Sequence, residues 1–166
     1  LGPPVDWAQV QADLGLSLPA DYRAYVDEYG IGWVNRLVLV LHPTTRTPHL
    51  NLARSAEEAA DPEALEMAET PPPHPVGLGL GRLLPCAVTE TQDVVYWHTD
   101  GDDPDRWPIV FRDAEAYEWQ RFDLSLVGFL LALFTGEIAP AEYASAGYVG
   151  EEIRFQPNPW RHPIEV

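Results

Sequence analysis

Between residues 14 and 30 the chain reads LGLSLPADYRAYVDEYG, which leaves little conformational freedom. Pro19 suits a first helical position, because its φ is already fixed and its missing N–H would have had no partner there. Asp21 adds a carboxylate beside the positive end of that helix. Tyr22, Tyr25, Val26 and Tyr29 recur at i, i+3, i+4 and i+7, so three phenol rings share one face, and Gly30 can adopt the left-handed conformation that stops a helix. An aromatic face of this kind is expected to lie on a core.

The flanking segments say what that core is. Asp6 can cap a preceding helix carrying Trp7, Val10 and Leu14, with Gly15 at its end. Residues 37–41 form an apolar, β-favouring run bounded by Asn35 and Pro43, and residues 49–52 are expected to make a short neighbouring strand. Ser55 with Glu58 has the spacing of a capping box and Asp61-Pro62 that of a second cap, so residues 55–69 predict one broken helix or two short ones. Residues 70–82 hold Pro71, Pro72, Pro73 and Pro75, then alternating Gly77, Gly79 and Gly81, and read as loop.

Residues 83–88 and 94–98 predict a hairpin, and an acidic loop at 99–106 leads to a strand at 107–111. Asp123 is the expected cap of an apolar helix running through Phe134 and ended by Gly136; residues 152–155 suggest a last strand. Strands joined by hairpins and interspersed with helices predict an α+β fold: a single domain over 1–166, a mainly antiparallel sheet with helices packed against it. Its core spans about residues 7–136, and residues 137–166 form a tail.

The order of these motifs resembles the SUKH superfamily, which includes fungal cell-wall-assembly regulators and many bacterial immunity proteins. The resemblance rests on the residues 14–30 pattern followed by glycine and a hydrophobic strand, then Leu84-Pro85-Cys86-Ala87 before a hairpin, Tyr96-Trp97, and Asp103-Pro104-Asp105-Arg106-Trp107-Pro108. Trp119, Phe122 and a Ser125-Leu126-Val127-Gly128-Phe129-Leu130 helix complete it. Each motif also follows from core packing, so the weight lies in order and spacing, and residues 70–82 and the tail stand outside the match. The resemblance implies a SUKH-like fold and an immunity role in the bacterial cytoplasm.

Charge bears on partners independently. Twenty-six acidic residues face ten basic ones, a formal net charge of −16, and every basic residue is arginine. Such a surface repels nucleic-acid phosphates and anionic lipid but accelerates encounter with a basic protein. Neither nucleic acid nor membrane is therefore expected as a partner, and no apolar run approaches the length of a membrane span. Cys86 alone excludes an internal disulfide framework and reads as a small buried hydrophobe. No signal-peptide pattern is visible.

Chemistry-bearing constellations are weak. Gly77-Leu-Gly79-Leu-Gly81 lacks the spacing and following lysine of a phosphate loop, and Asp100, Asp102, Asp103 and Asp105 break the EF-hand order. His42, His49, His74, His98 and His162 show no i, i+4 pair, and Ser125 sits in an apolar helix instead of a nucleophile elbow. No catalytic residue, cofactor or metal is expected.

The leading expectation is an intracellular immunity protein that binds and neutralises a cognate protein toxin, basic and of the nuclease kind, by stoichiometric occlusion. The alternative is a regulatory module scaffolding a cellular partner. Partner contacts are assigned to Glu57, Glu58, Asp61, Glu63, Glu66 and Glu69 as one patch and Asp100, Asp102, Asp103 and Asp105 as another. Trp33, Trp97, Trp107 and Trp160, near turns and strand ends, are the expected anchors, while Trp7, Trp119, Phe129 and Phe134 are expected in the core.

Overall fold

The structure, a computed structural model, describes residues 3–138, 143, 146–150 and 152–157. Trp160, His162 and most of the expected tail lie outside the described residues. One antiparallel sheet draws strands from almost the whole chain, in the order β6-β5-β4-β3-β2-β1-β7. These are β1 (Gly32–Val34), β2 (Val38–Val40), β3 (Leu83–Thr89), β4 (Val94–His98), β5 (Ile109–Asp113), β6 (Glu118–Phe122) and β7 (Phe155–Pro157). Six strands thus form a continuous meander, and β7 returns to pair with β1. With five α-helices around it among the described residues, the α+β architecture agrees with the sequence reading.

Two helices open the chain, α1 (Trp7–Leu14) and α2 (Ala20–Tyr29). Asp6 caps α1 by accepting from the Gln9 N–H, and Gly15 ends it at φ 72°. Pro19 stands one residue earlier than expected, outside the helix, and the Ala20 N–H donates instead to Asp105, 85 positions away. Asp21 does more than complement the helix end: one of its oxygens accepts from Val127 N–H at 2.9 Å and so ties α2 to the start of α5 (Leu126–Phe134).

The tyrosine face is core at Tyr22 and Tyr25 but leaves Tyr29 46% exposed. Tyr22 is fully buried, meets Trp97 edge-on at 5.0 Å and donates its hydroxyl to Leu41 O at 2.6 Å. Its burial pushes the phenol well above the ordinary tyrosine range. Around it, Val38 and Val40 of β2, Val95 and Trp97 of β4, Ile109 and Phe111 of β5, and Phe129 and Leu133 of α5 join one cluster. Because strand side chains alternate, Tyr96 and Val110 point to the other face of the sheet, where they pack with Leu83 and Val76.

Several local expectations shift by a few residues, each because a different group provides the cap or the turn. Residues 49–52 do not form a strand: Pro48–Leu50 is a 3-10 turn, only the bridge His42↔Asn51 remains, and Asn51 caps α3 (Leu52–Ala59). Asn51 therefore replaces the Ser55 and Glu58 capping box. Asp61 caps α4 (Pro62–Glu66) as expected, accepting from Glu63 and Ala64 N–H.

Ser125, accepting from Gly128 N–H, caps α5 in place of Asp123, which pairs with Arg121 at 3.0 Å. Leu131 of that helix is 51% exposed, so its burial is incomplete. The last strand begins three residues later than expected, at Phe155; β5 begins at Ile109, and β6 was not anticipated. Pro85 is tolerated in a central strand because it lies beside the bulge between Pro85 and Ala87.

Candidate functional site

The two acidic segments differ in how the fold uses them. All six carboxylates from Glu57 to Glu69 are exposed, and so are Asp100, Asp102, Asp103 and Asp105. In the loop after β4, however, Asp105 caps α2 through the Ala20 N–H at 2.7 Å. Asp103 caps its own 3-10 turn, Pro104–Arg106, by accepting from Asp105 N–H. Trp107 anchors this loop from below, donating its indole N–H to Gly101 O at 2.9 Å. Two of the four carboxylates are thus occupied by backbone.

In the first segment only Asp61 is occupied in that way, and Glu58 pairs with Arg54 at 3.1 Å across an exposed helical turn. Among the described residues, Glu57, Glu63, Glu66 and Glu69 make no ion pair or side-chain hydrogen bond. Beside them lies a hollow of about 300 Å³ on the outer face of the sheet. Its floor is Tyr96, Arg112 and Trp119; its roof is Leu65, Met67 and neighbouring alanines of the α4 turn; the proline-rich loop walls it. Met67 is 78% exposed.

The walls are held by specific contacts. Trp119 donates its indole N–H to Thr70 O at 3.2 Å and packs on Tyr96 with ring centroids 5.5 Å apart and planes tilted by 40°. Burial, against the lowering pull of Arg112, pushes the Tyr96 phenol up to about 12, so it stays protonated at neutral pH. Further along the same loop the His74 ring stacks on His98 at 3.8 Å. Thr99 knits the glycine stretch into place, accepting from Arg82 N–H, lying 2.6 Å from Gly79 O through its hydroxyl and accepting from Gly81 N–H at its carbonyl. The His98 pKa is lowered, first by burial and then by His74, with Asp100 opposing.

Four tryptophans were expected to contact a partner, and the structure corrects two of them. Trp97 is 1% exposed and Trp107 is 3% exposed, packed against each other at 6.3 Å within the main core. Strand ends are exposed only when nothing covers them, and here Tyr22 of α2 covers this one. Trp33 is half-buried on β1, and Trp160 is outside the described residues. Trp7 and Trp119 are half-buried at the edge of the core, while Phe129 and Phe134 are buried as expected.

A second groove, of about 320 Å³, opens between α2, α5 and β7, lined by Tyr29, Leu131 and Phe155 among others. Among the described residues no group of three or more His, Cys, Asp or Glu is placed to hold a metal ion, and no helix is long and apolar enough to cross a membrane. Buried Cys86 has its thiol pushed up by burial and donates to Val95 O at 3.3 Å. The sheet and its helices define the class as an α+β protein with a strongly acidic surface. Comparison with protein-family models, with curated proteins and with solved structures finds no match for the chain.

Proposed function

We propose that the chain is a SUKH-like immunity protein that neutralises a basic protein toxin by stoichiometric binding, without catalysis. The observation that carries the reading is the exposure of all ten carboxylates assigned to partner contact on a chain of net charge −16. Exposed carboxylates offer a basic partner the electrostatic pattern that it meets on a phosphate backbone, and they raise the rate of encounter at low salt. The SUKH resemblance adds the immunity role. The cytoplasm is the compartment in which such a protein would meet an incoming toxin.

The test is co-expression. A toxin encoded beside this chain, expressed in a sensitive host, should kill alone and be tolerated when the chain is co-expressed, and the purified pair should form a complex of fixed stoichiometry. Continued killing at equal expression, with no complex formed, would reject the reading.

A further inference from the structure

We infer that the hollow under α4 is the seat of the basic partner: an apolar side chain of the partner fills it while flanking arginines or lysines meet Glu63, Glu66 and Glu69. The inference deepens the immunity reading and rests on it for the partner's charge. Acidic residues by themselves do not choose between the two acidic segments. The choice comes from their surroundings.

Around the 99–106 loop the space beneath the carboxylates is filled, since Trp107 occupies it and Asp103 and Asp105 are engaged by backbone N–H groups. Against Ala64, Leu65, Met67 and Ala68, the chain neighbours of Glu63, Glu66 and Glu69, it is open. Exposed carboxylates at 63, 66 and 69 interleave along the chain with Leu65 and Met67, which line the hollow. A thioether that is mostly solvent-exposed next to an indole and a phenol is an adaptable apolar surface of the kind found at protein contacts.

The volume of about 300 Å³ accommodates one large aliphatic or aromatic side chain. Among the described residues Arg112 has no ion-pair partner, so its guanidinium on the floor is available to a backbone carbonyl of the seated segment. That cation also disfavours a lysine or arginine as the anchor itself. The occupant is therefore a basic protein segment with one apolar anchor flanked by positive charges, arranged as a hot spot inside a polar rim. Neither the hollow nor the equally large α2–α5 groove is lined by a carboxylate. What favours the hollow is that unpaired Glu63, Glu66 and Glu69 adjoin its lining residues Ala64, Leu65, Met67 and Ala68 along the chain, whereas beside the groove Asp27 accepts from Trp7 and Glu152 pairs with Arg154.

The probe is a short arginine-rich synthetic peptide with one central leucine, titrated into the isotope-labelled protein at low salt. Amide shifts should cluster at residues 63–69, Tyr96 and Arg112, and the Trp119 indole resonance should move with them. Replacing the peptide's leucine with alanine, or making Met67→Asp on the protein, should each weaken binding about 10-fold, the size expected for loss of a buried anchor. Glu63→Arg with Glu66→Arg and Glu69→Arg should abolish the low-salt interaction.

Shifts centred on residues 99–106 or on the α2–α5 groove, or binding indifferent to the leucine, would overturn the inference. The cognate toxin separates the two proposals. If wild type and Met67→Asp neutralise it with equal affinity, the immunity reading stands and the hollow falls. If the peptide seats in the hollow as described while no toxin is neutralised, the hollow stands and the immunity reading falls.

Discussion

The loop at residues 99–106 and the segment at residues 57–69 are both short, acidic and exposed, yet they stand in opposite relations to the fold. The loop works inward: Asp105 provides the cap that Pro19 does not, Asp103 shapes the turn, and Trp107 plugs the sheet below. The helical segment works outward, with Asp61 alone engaged by backbone and four glutamates unpaired. Sequence composition treats the two alike. What separates them is where each carboxylate finds a donor: backbone N–H groups need local or buried acceptors, whereas glutamates on an exposed helical face are satisfied by water.

Four measurements sharpen or break this contrast. The largest effect is expected at the plug. Trp107→Ala should lower unfolding free energy by about 3–5 kcal/mol in a urea titration, whereas Met67→Ala should change it by about 0.5 kcal/mol or less. Comparable losses at the two positions would mean that the hollow is part of the packed core. Next, Asp105→Ala should lose about 1 kcal/mol, the usual contribution of an N-cap, while Glu66→Ala stays within about 0.5 kcal/mol. A silent Asp105→Ala would show that α2 starts without outside help.

The third measurement concerns the junction of the two regions, where His98 at the root of the acidic loop stacks on His74 of the proline-rich wall. Burial and His74 lower the His98 pKa against the pull of Asp100, with Arg121 acting in the same direction as His74, and burial lowers that of His42. Their folded-state values lie below the unfolded value of about 6.5, so the unfolded chain binds more protons there. Thermal midpoints should therefore fall as pH drops below about 6.5, before the carboxylates titrate, and His98→Gln should flatten part of that slope. An unchanged slope in this variant would place the dependence elsewhere. The smallest effect is expected for Arg54→Ala: loss of the exposed Arg54–Glu58 pair should cost no more than about 0.5 kcal/mol and vanish at high salt.

Much of the fold was legible in advance. Helices α1 and α2, the apolar run of β2, the hairpin β3–β4 and the Asp61 cap all follow from short-range signals, and they fall within a few residues of where they are found. The errors share a cause. Pro19 suits a first helical position and Ser55 and Asp123 suit caps, but Pro19 stands outside α2, whose Ala20 N–H meets Asp105 of a distant loop, and Asn51 and Ser125 cap α3 and α5. Strand β6 gives no two-residue apolar alternation to read, because Trp119 and Phe122 fall on opposite faces with exposed Gln120 and Arg121 between them. It is an edge strand whose two rings pack on opposite faces of the sheet while Glu118, Gln120 and Arg121 are exposed.

The candidate site was legible only in part. The acidic residues could be named from composition, but the hollow could not. It arises where Tyr96, Arg112 and Trp119, from three strands, meet a turn of α4 and a proline-rich wall, a juxtaposition with no local signature. By the same token Trp97 and Trp107 look like anchors in the sequence, but Tyr22 of α2 covers Trp97 and Trp107 packs against Trp97 in the core. The sequence by itself determined the α+β class, the helix-and-hairpin pattern and the acidic surface, since these depend on periodicity, turn chemistry and charge. Only the tertiary structure decided which aromatics are buried and which carboxylates are occupied. Burial is set by what packs on a residue from elsewhere in the chain, and no neighbour in sequence reports it.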